Sequence, residues 1–110
     1  MPPAHTPGWE DRAVLWLLDQ CPPDYRSYAG WRRHPVALAW LAVRHVDGQA
    51  AALRQAWREA RVALGPHVPP EALGEILHEV EAEGLRLVGA ARAARLVSEA
   101  LEGKVFAPRL

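Results

Sequence analysis

Two segments with heptad spacing, separated by the loop Gly-Pro-His-Val-Pro-Pro at residues 65–70, constrain the possible folds more than any other feature. In the first segment, apolar residues alternate at spacings of three and four: Val36, Ala39, Val43, Val46, Ala50, Leu53, Trp57, Ala60 and Leu64. In the second segment, an apolar residue recurs at every seventh position: Leu73, Val80, Leu87, Ala94 and Leu101. This spacing is typical of helices that pack along one seam. The sequence therefore predicts long helices at 35–64 and 70–102.

The loop between these segments contains three prolines and one glycine, so a single helix cannot continue through it. A helix–helix connection this short places the two helices antiparallel. Each helix would be on the order of 45 Å long. The predicted fold is all-α: a long antiparallel helical hairpin, completed as a bundle by shorter N-terminal elements.

Two shorter elements are expected before the hairpin, within one domain that spans 1–110. A helix is predicted at 7–20, with Thr6 as its N-cap, and a helical turn is predicted at 23–30, where Gly30 would end it. Gly103 is expected to end the last helix as its C′ residue. The tail 103–110 would fold back onto the core or contact a second subunit.

Charge gives a predicted register for the hairpin. With the turn near His67, arginines of the first long helix would face glutamates of the second, and Asp47 would lie near Arg86. Exposed pairs of this kind contribute about 0.5 kcal/mol each, so they would select the register more than they would stabilise the fold.

The stretch CPPDYRSYAGWRRHP at residues 21–35 is the densest in aromatic and basic side chains. One interpretation is structural, because Tyr25, Tyr28 and Trp31 recur every three residues and could close one end of the bundle. The other is a partner-binding surface, since Trp, Tyr and Arg are enriched in interface hot spots. That surface would combine Tyr25, Tyr28, Trp31, Arg32, Arg33, Leu38 and Leu41, with the last two on a second apolar face that needs cover from the first helix or another subunit.

A nucleic-acid-associated protein is the alternative, using Arg26, Arg32, Arg33 and Arg44 on phosphates and the tyrosines on bases. The overall charge disfavours it, because 13 basic residues are balanced by 13 acidic ones. Proteins that neutralise many phosphates usually carry an excess of positive charge.

No pattern in the chain predicts catalysis, a metal site or a cofactor. Glu75 and His78 have the Glu-x-x-His spacing of di-iron bundles, but the helical wheel turns both away from the seam. Cys21 is the single cysteine, so an intrachain disulfide is excluded, and a half-buried inert thiol is expected.

Location and source are also expectations from sequence. The N-terminal residues lack the basic and apolar regions of a secretory signal, and the longest apolar run, residues 36–43, is too short to span a bilayer. These features predict a cytoplasmic protein. The preference for Arg over Lys, together with abundant Ala, is typical of GC-rich bacterial genomes. The run CPPDYRSYAGWRRHPVALAWLAVRHVDGQ resembles small uncharacterised helical proteins of actinobacteria, a resemblance that implies a bacterial source and no particular activity.

Together these observations predict a non-enzymatic interaction or scaffold protein that acts through helix faces. A homodimer is expected, because many seam positions hold small residues that bury little apolar area within one chain.

Overall fold

The computed structural model describes residues 8–103, and within them the chain is all-α, as predicted. Its helices are α1 (Trp9–Asp19), α2 (Ala29–Arg33), α3 (Pro35–Leu64) and α4 (Pro70–Leu101), with a 3₁₀-helix at Pro23–Ser27. The expected N-cap Thr6, the start of the first helix at residue 7, and the tail beyond Gly103 lie outside the described residues. None of the helices in the described range has an apolar stretch long enough to cross a membrane.

The two long helices begin and end where local chemistry predicts. Pro35 and Pro70 each occupy the first turn, where a missing amide hydrogen costs nothing. At the far end of α4, Gly103 adopts the left-handed conformation (φ 85°) expected of a C′ residue. Between the helices, the amides of His67 and Val68 donate to the carbonyl of Leu64 and reverse the chain.

The α3–α4 contact is the largest in the molecule, and the predicted seams face each other. At its centre Val46 and Ala50 pack with Leu87 and Ala91, all buried. Further toward the loop, however, only Ala60 and Leu77 are buried. The core between the two helices is therefore thin and falls into separate clusters, since alanine and glycine supply much of the seam.

The register and the charge pairing differ from the prediction. In the central cluster, the residues of α3 pack beside residues of α4 that lie about one helical turn nearer its C-terminus than a turn at His67 implies. Asp47 consequently pairs with Arg95 (2.5 Å) instead of Arg86. Arg86 pairs with Glu83 on its own helix, and within residues 8–103 no ion pair joins the arginines of α3 to the glutamates of α4. Exposed side chains that point away from the seam reach neighbours three or four residues away more readily than the opposite helix.

Helix α1 covers one side of the hairpin at its open end. Ala13, Leu17 and Leu18 are fully buried there, in one cluster with Leu38 of α3 and Val97 of α4. The apolar run of α1 is thus buried on most sides, as predicted, except that Leu15 is 54% exposed. This cluster is the main core of the molecule, and it includes Cys21 and Trp9.

The predicted turn at 23–30 is two separate elements. The 3₁₀-helix ends at Ser27, and Tyr28 is extended (φ −93°, ψ 96°) before α2 begins at Ala29. Gly30 accordingly lies inside α2 and does not end a helix. Ser27 donates its hydroxyl to the carbonyl of Asp24, a local bond that competes with continuation of a helix.

The resulting molecule is long and flat, with extents of 54 × 40 × 17 Å. Its radius of gyration is 17.6 Å, whereas a compact domain of this length has about 13 Å. Helix α1 lies against the hairpin on one side and only at its open end. The opposite side of the hairpin has no covering element in residues 8–103.

Candidate interaction surfaces

The aromatic residues of the stretch 21–35 form one cluster against the core. Tyr25 contacts Trp31 with a ring-centroid distance of 4.4 Å, and Tyr28 contacts Trp31 at 4.8 Å. The Tyr25 ring also lies 6.2 Å from the imidazole of His45 on α3. Tyr25 and Trp31 are half-buried against the main core, while Tyr28 is 48% exposed. Tyr25 and Trp31 thus have the packing expected of a plug at the end of the bundle.

The other predicted binding residues do not form one surface with this cluster. Arg32 and Arg33 are exposed on α2. Leu38 has no exposed area, because α1 covers it, so it contributes nothing to a surface in this fold. Leu41 is half-buried. Of the two sources of cover that the sequence left open for this face, the first helix supplies it.

The arginines considered for phosphate binding are partly engaged within the chain. Arg26 donates to Asp19 at 2.5 Å, which ties the 3₁₀-helix to the end of α1. The guanidinium of Arg44 lies 3.8 Å from the centre of the Trp40 ring. This cation–π contact keeps the Arg44 head over its own helix. Arg32 and Arg33 remain as the exposed basic pair of this region.

An exposed apolar surface lies on the side of the hairpin opposite α1, and we call it the uncovered face. Val36 and Trp40 lie two residues to either side of Leu38, which turns them about 200° from it around α3. Both are exposed, Trp40 at 53%. Arg54 lies five helical turns after Val36, and Arg58 lies five turns after Trp40. These four residues therefore share a side of α3.

The part of the uncovered face nearer the α3–α4 loop is a groove of about 420 Å³ between α3 and α4. Its lining residues are Ala50, Leu53, Arg54, Trp57, Arg58, Val80, Glu81, Gly84, Leu85 and Val88. Leu85 is 71% exposed, and Val88 and Trp57 are exposed beside it. A methyl group added at Gly84 would meet no atom within 4 Å, so the floor of the groove is open.

Charged side chains occupy both edges of this groove. Arg54 and Arg58 belong to α3, and Glu81 belongs to α4. All three are exposed, and no ion pair joins Glu81 to either arginine. Nearer the open end, the Asp47–Arg95 pair bridges the two helices. The groove is therefore apolar along its floor and carries opposite charges on its two edges.

A second, more polar cavity of about 340 Å³ lies at the junction of α1, α3 and α4. Cys21 and His45 both line it, a proximity that the sequence did not predict because 24 positions separate them. Burial raises the pKa of the Cys21 thiol above its ordinary value of 9.0, and no hydrogen bond joins the thiol to His45. The geometry therefore favours a neutral thiol over an activated nucleophile.

Glu75 and His78 are exposed on α4, on the side that the helical wheel predicts. Within residues 8–103, no group of three or more His, Cys, Asp or Glu side chains is close enough to hold a metal ion. On the same helix, a hydrogen bond from Arg86 lowers the pKa of Glu83, whose side chain is partly exposed to solvent. This pair belongs to the helix surface.

Sequence reasoning missed the uncovered face because it assigned Val36 and Trp57 to the buried seam. Two features of the sequence indicate this face. Trp40 and Arg58 are five helical turns apart, and the small residues Ala50 and Gly84 lie at neighbouring heights along the two helices. Comparison of the chain with protein-family models, curated proteins and solved structures gives no match.

Proposed function

We propose that this chain is a non-enzymatic protein-interaction or scaffold protein that binds through the uncovered face of its hairpin. One observation carries the proposal: Trp57, Leu85 and Val88, from both long helices, are exposed together in the groove of that face, and Val36 and Trp40 are exposed further along the same side of α3. Contiguous apolar patches on a water-exposed surface mark interaction sites, whereas single exposed apolar residues do not.

The groove geometry favours a helical partner. An amphipathic helix that lies in a groove between two helices inserts side chains spaced by one turn, and the open floor at Gly84 leaves room for them. Two exposed aromatic rings, Trp40 and Trp57, flank the path along α3 and supply the kind of side chain that dominates interface energetics.

This location replaces the one expected from sequence. Residues 25–34 support a binding role less well, because Tyr25 and Trp31 pack against the core and Leu38 is buried. Tyr28, Arg32 and Arg33 stay exposed at the edge of that region and form a smaller, polar surface. The proposal also includes a cytoplasmic location, which the single buried free cysteine supports.

Site-specific photo-crosslinking in cells of the source organism tests the proposal. A photoreactive phenylalanine analogue at position 88 probes the groove, and the same analogue at position 62 serves as control. Val62 is even more exposed, at 83%, but does not line the groove. We expect covalent protein adducts from position 88 and few from position 62. Equal yields from the two positions would overturn the proposed function.

A further inference from the structure

We infer that the occupant of the groove is a second copy of this chain, with α3 of each copy packed against α4 of the other. This inference rests on the proposed function, because it names the partner of the same face. The two copies would form a four-helix bundle whose two-fold axis runs parallel to the long helices. Both α3–α4 loops then lie at the same end of the dimer.

The size of the uncovered face fits a dimer of moderate affinity. From Val36 to Trp57 the face is about 30 Å long, and a pair of packed helices is about 20 Å wide. The footprint is therefore about 600 Å² per copy, or about 1,200 Å² in total, which is the lower end of the range for specific stable interfaces. A dissociation constant in the micromolar range is expected.

The shape of the face also suits a copy of itself. The most exposed of the large apolar lining residues, Leu85, projects from α4 at the level of the small residue Ala50 on α3. When α4 of one copy lies over α3 of the other at the same level, Leu85 enters the space beside Ala50 of the partner subunit. A two-fold interface repeats this contact, so each copy supplies one projecting side chain and one recess.

Charge selects this arrangement over its alternative. With α3 over the partner's α4, the edge that carries Arg54 and Arg58 faces Glu81 of the partner subunit, twice per dimer. If α3 instead lay over the partner's α3, with the two-fold axis centred on the groove, Arg54 would face Arg54 of the partner subunit. Like charges opposed across an interface suppress that packing.

The first test measures the mass of the full chain in solution by sedimentation equilibrium, from about 1 to about 100 µM, a range that brackets a micromolar dissociation constant. We expect a monomer–dimer equilibrium. V88E should raise the dissociation constant at least tenfold, because it places a charge in an apolar groove, while V62E should leave it unchanged. A wild-type chain that stays monomeric, or equal effects of the two variants, would overturn the inference. Far-ultraviolet circular dichroism must show that both variants retain the helical fold.

The second test uses charge reversal, and its rescue arm does not depend on contacts within one chain, because each chain carries the same substitution alone and in the mixture. R58E alone and E81R alone should each associate with itself at least tenfold more weakly than wild type, because each creates like-charge pairs between copies. Mixed together, they should form a heterodimer in which both inter-copy pairs are attractive again. Native mass spectrometry distinguishes the species by mass. Failure of the mixture to associate better than either variant alone would overturn the arrangement.

The crosslinking experiment separates this inference from the proposed function. Adducts from position 88 that contain only other proteins would leave the proposed function standing and overturn the self-association. Adducts that contain a second copy support both. The absence of position-specific adducts, combined with a monomer in solution, would overturn both.

Discussion

At the scale of single residues, identical side chains on the hairpin have opposite environments. Leu38 on α3 is completely buried by α1, while Leu96 on α4 is 50% exposed. Both occur in apolar sequence surroundings, so composition does not distinguish them. The two positions differ in whether another element packs over them. The loss of unfolding free energy on truncation of each side chain should therefore differ as well.

Leu38→Ala should lower the free energy of unfolding by about 2–5 kcal/mol, because it removes buried methyl groups and leaves a cavity. Leu96→Ala is the matched control and should cost less than about 1 kcal/mol. Urea unfolding followed by circular dichroism gives both values. Similar losses for the two variants would show that Leu38 is not covered by α1 in solution.

The aromatic plug gives a second residue-scale prediction. Trp31→Ala should destabilise the fold by about 2–4 kcal/mol, since Trp31 packs on Tyr25 and on the core. Tyr28→Ala should cost about 1 kcal/mol or less, because its ring is largely exposed. Thermal unfolding distinguishes these outcomes. A stable Trp31→Ala variant would revive the interpretation of residues 25–34 as a working surface.

At the scale of elements, the attachment of α1 to the hairpin determines where the molecule is thick. Its buried residues contact α3 and α4 only near the open end. The remainder of α3 and α4 depends on a seam rich in alanine. We therefore expect α1 to open locally without separation of the two helices of the hairpin. The accessibility of Cys21, which follows the end of α1, measures this opening.

The Cys21 thiol should react slowly with an aromatic disulfide reagent in the native state, because burial raises its pKa and shields it. Leu18→Ala should accelerate the reaction by loosening α1. Leu73→Ala, near the loop, is the matched control and should change it little. The rates can be followed by absorbance. Equal acceleration by the two variants would mean that α1 and the hairpin open together.

The same raised pKa gives a direction for the dependence of stability on pH. As pH increases past about 9, the thiol ionises in the unfolded chain before it does so in the folded one. The unfolded state then binds fewer protons, so the free energy of unfolding decreases at higher pH. Cys21→Ala should reduce this decrease relative to wild type in urea titrations between pH 7 and about 10. An unchanged pH profile would contradict the assignment.

At the scale of the whole molecule, the charge is balanced and the shape is elongated. The 13 basic and 13 acidic residues cancel, and the described ion pairs are all exposed. Such pairs contribute little to stability.

Binding to generic double-stranded DNA should be undetectable at about 50 mM salt, because 13 basic residues are balanced by 13 acidic ones and leave no excess of positive charge to release counterions. A fluorescence anisotropy titration measures this. Binding that weakens steeply as salt is raised would contradict the expectation and favour the nucleic-acid alternative. Arg32→Ala combined with Arg33→Ala would then identify the contact, with Arg58→Ala as the control on the groove edge.

The long helices and their ends follow from local preferences of the chain. Proline in the first turn and glycine after the last turn have local steric reasons that need no tertiary contact. Heptad spacing likewise determined which sides of α3 and α4 meet, because it depends only on helix geometry. The exposure of Glu75 and His78 followed from the same geometry.

Which of the other sides of α3 and α4 are covered depends on packing between distant segments of the chain. Leu38 and Trp40 are two residues apart and both apolar, yet α1 buries the first and leaves the second exposed. The register of the hairpin was also decided by packing, since buried contacts among Val46, Ala50 and Leu87 outweigh weak exposed ion pairs. Long-range placement depends on summed contacts between distant segments, which a local pattern does not encode.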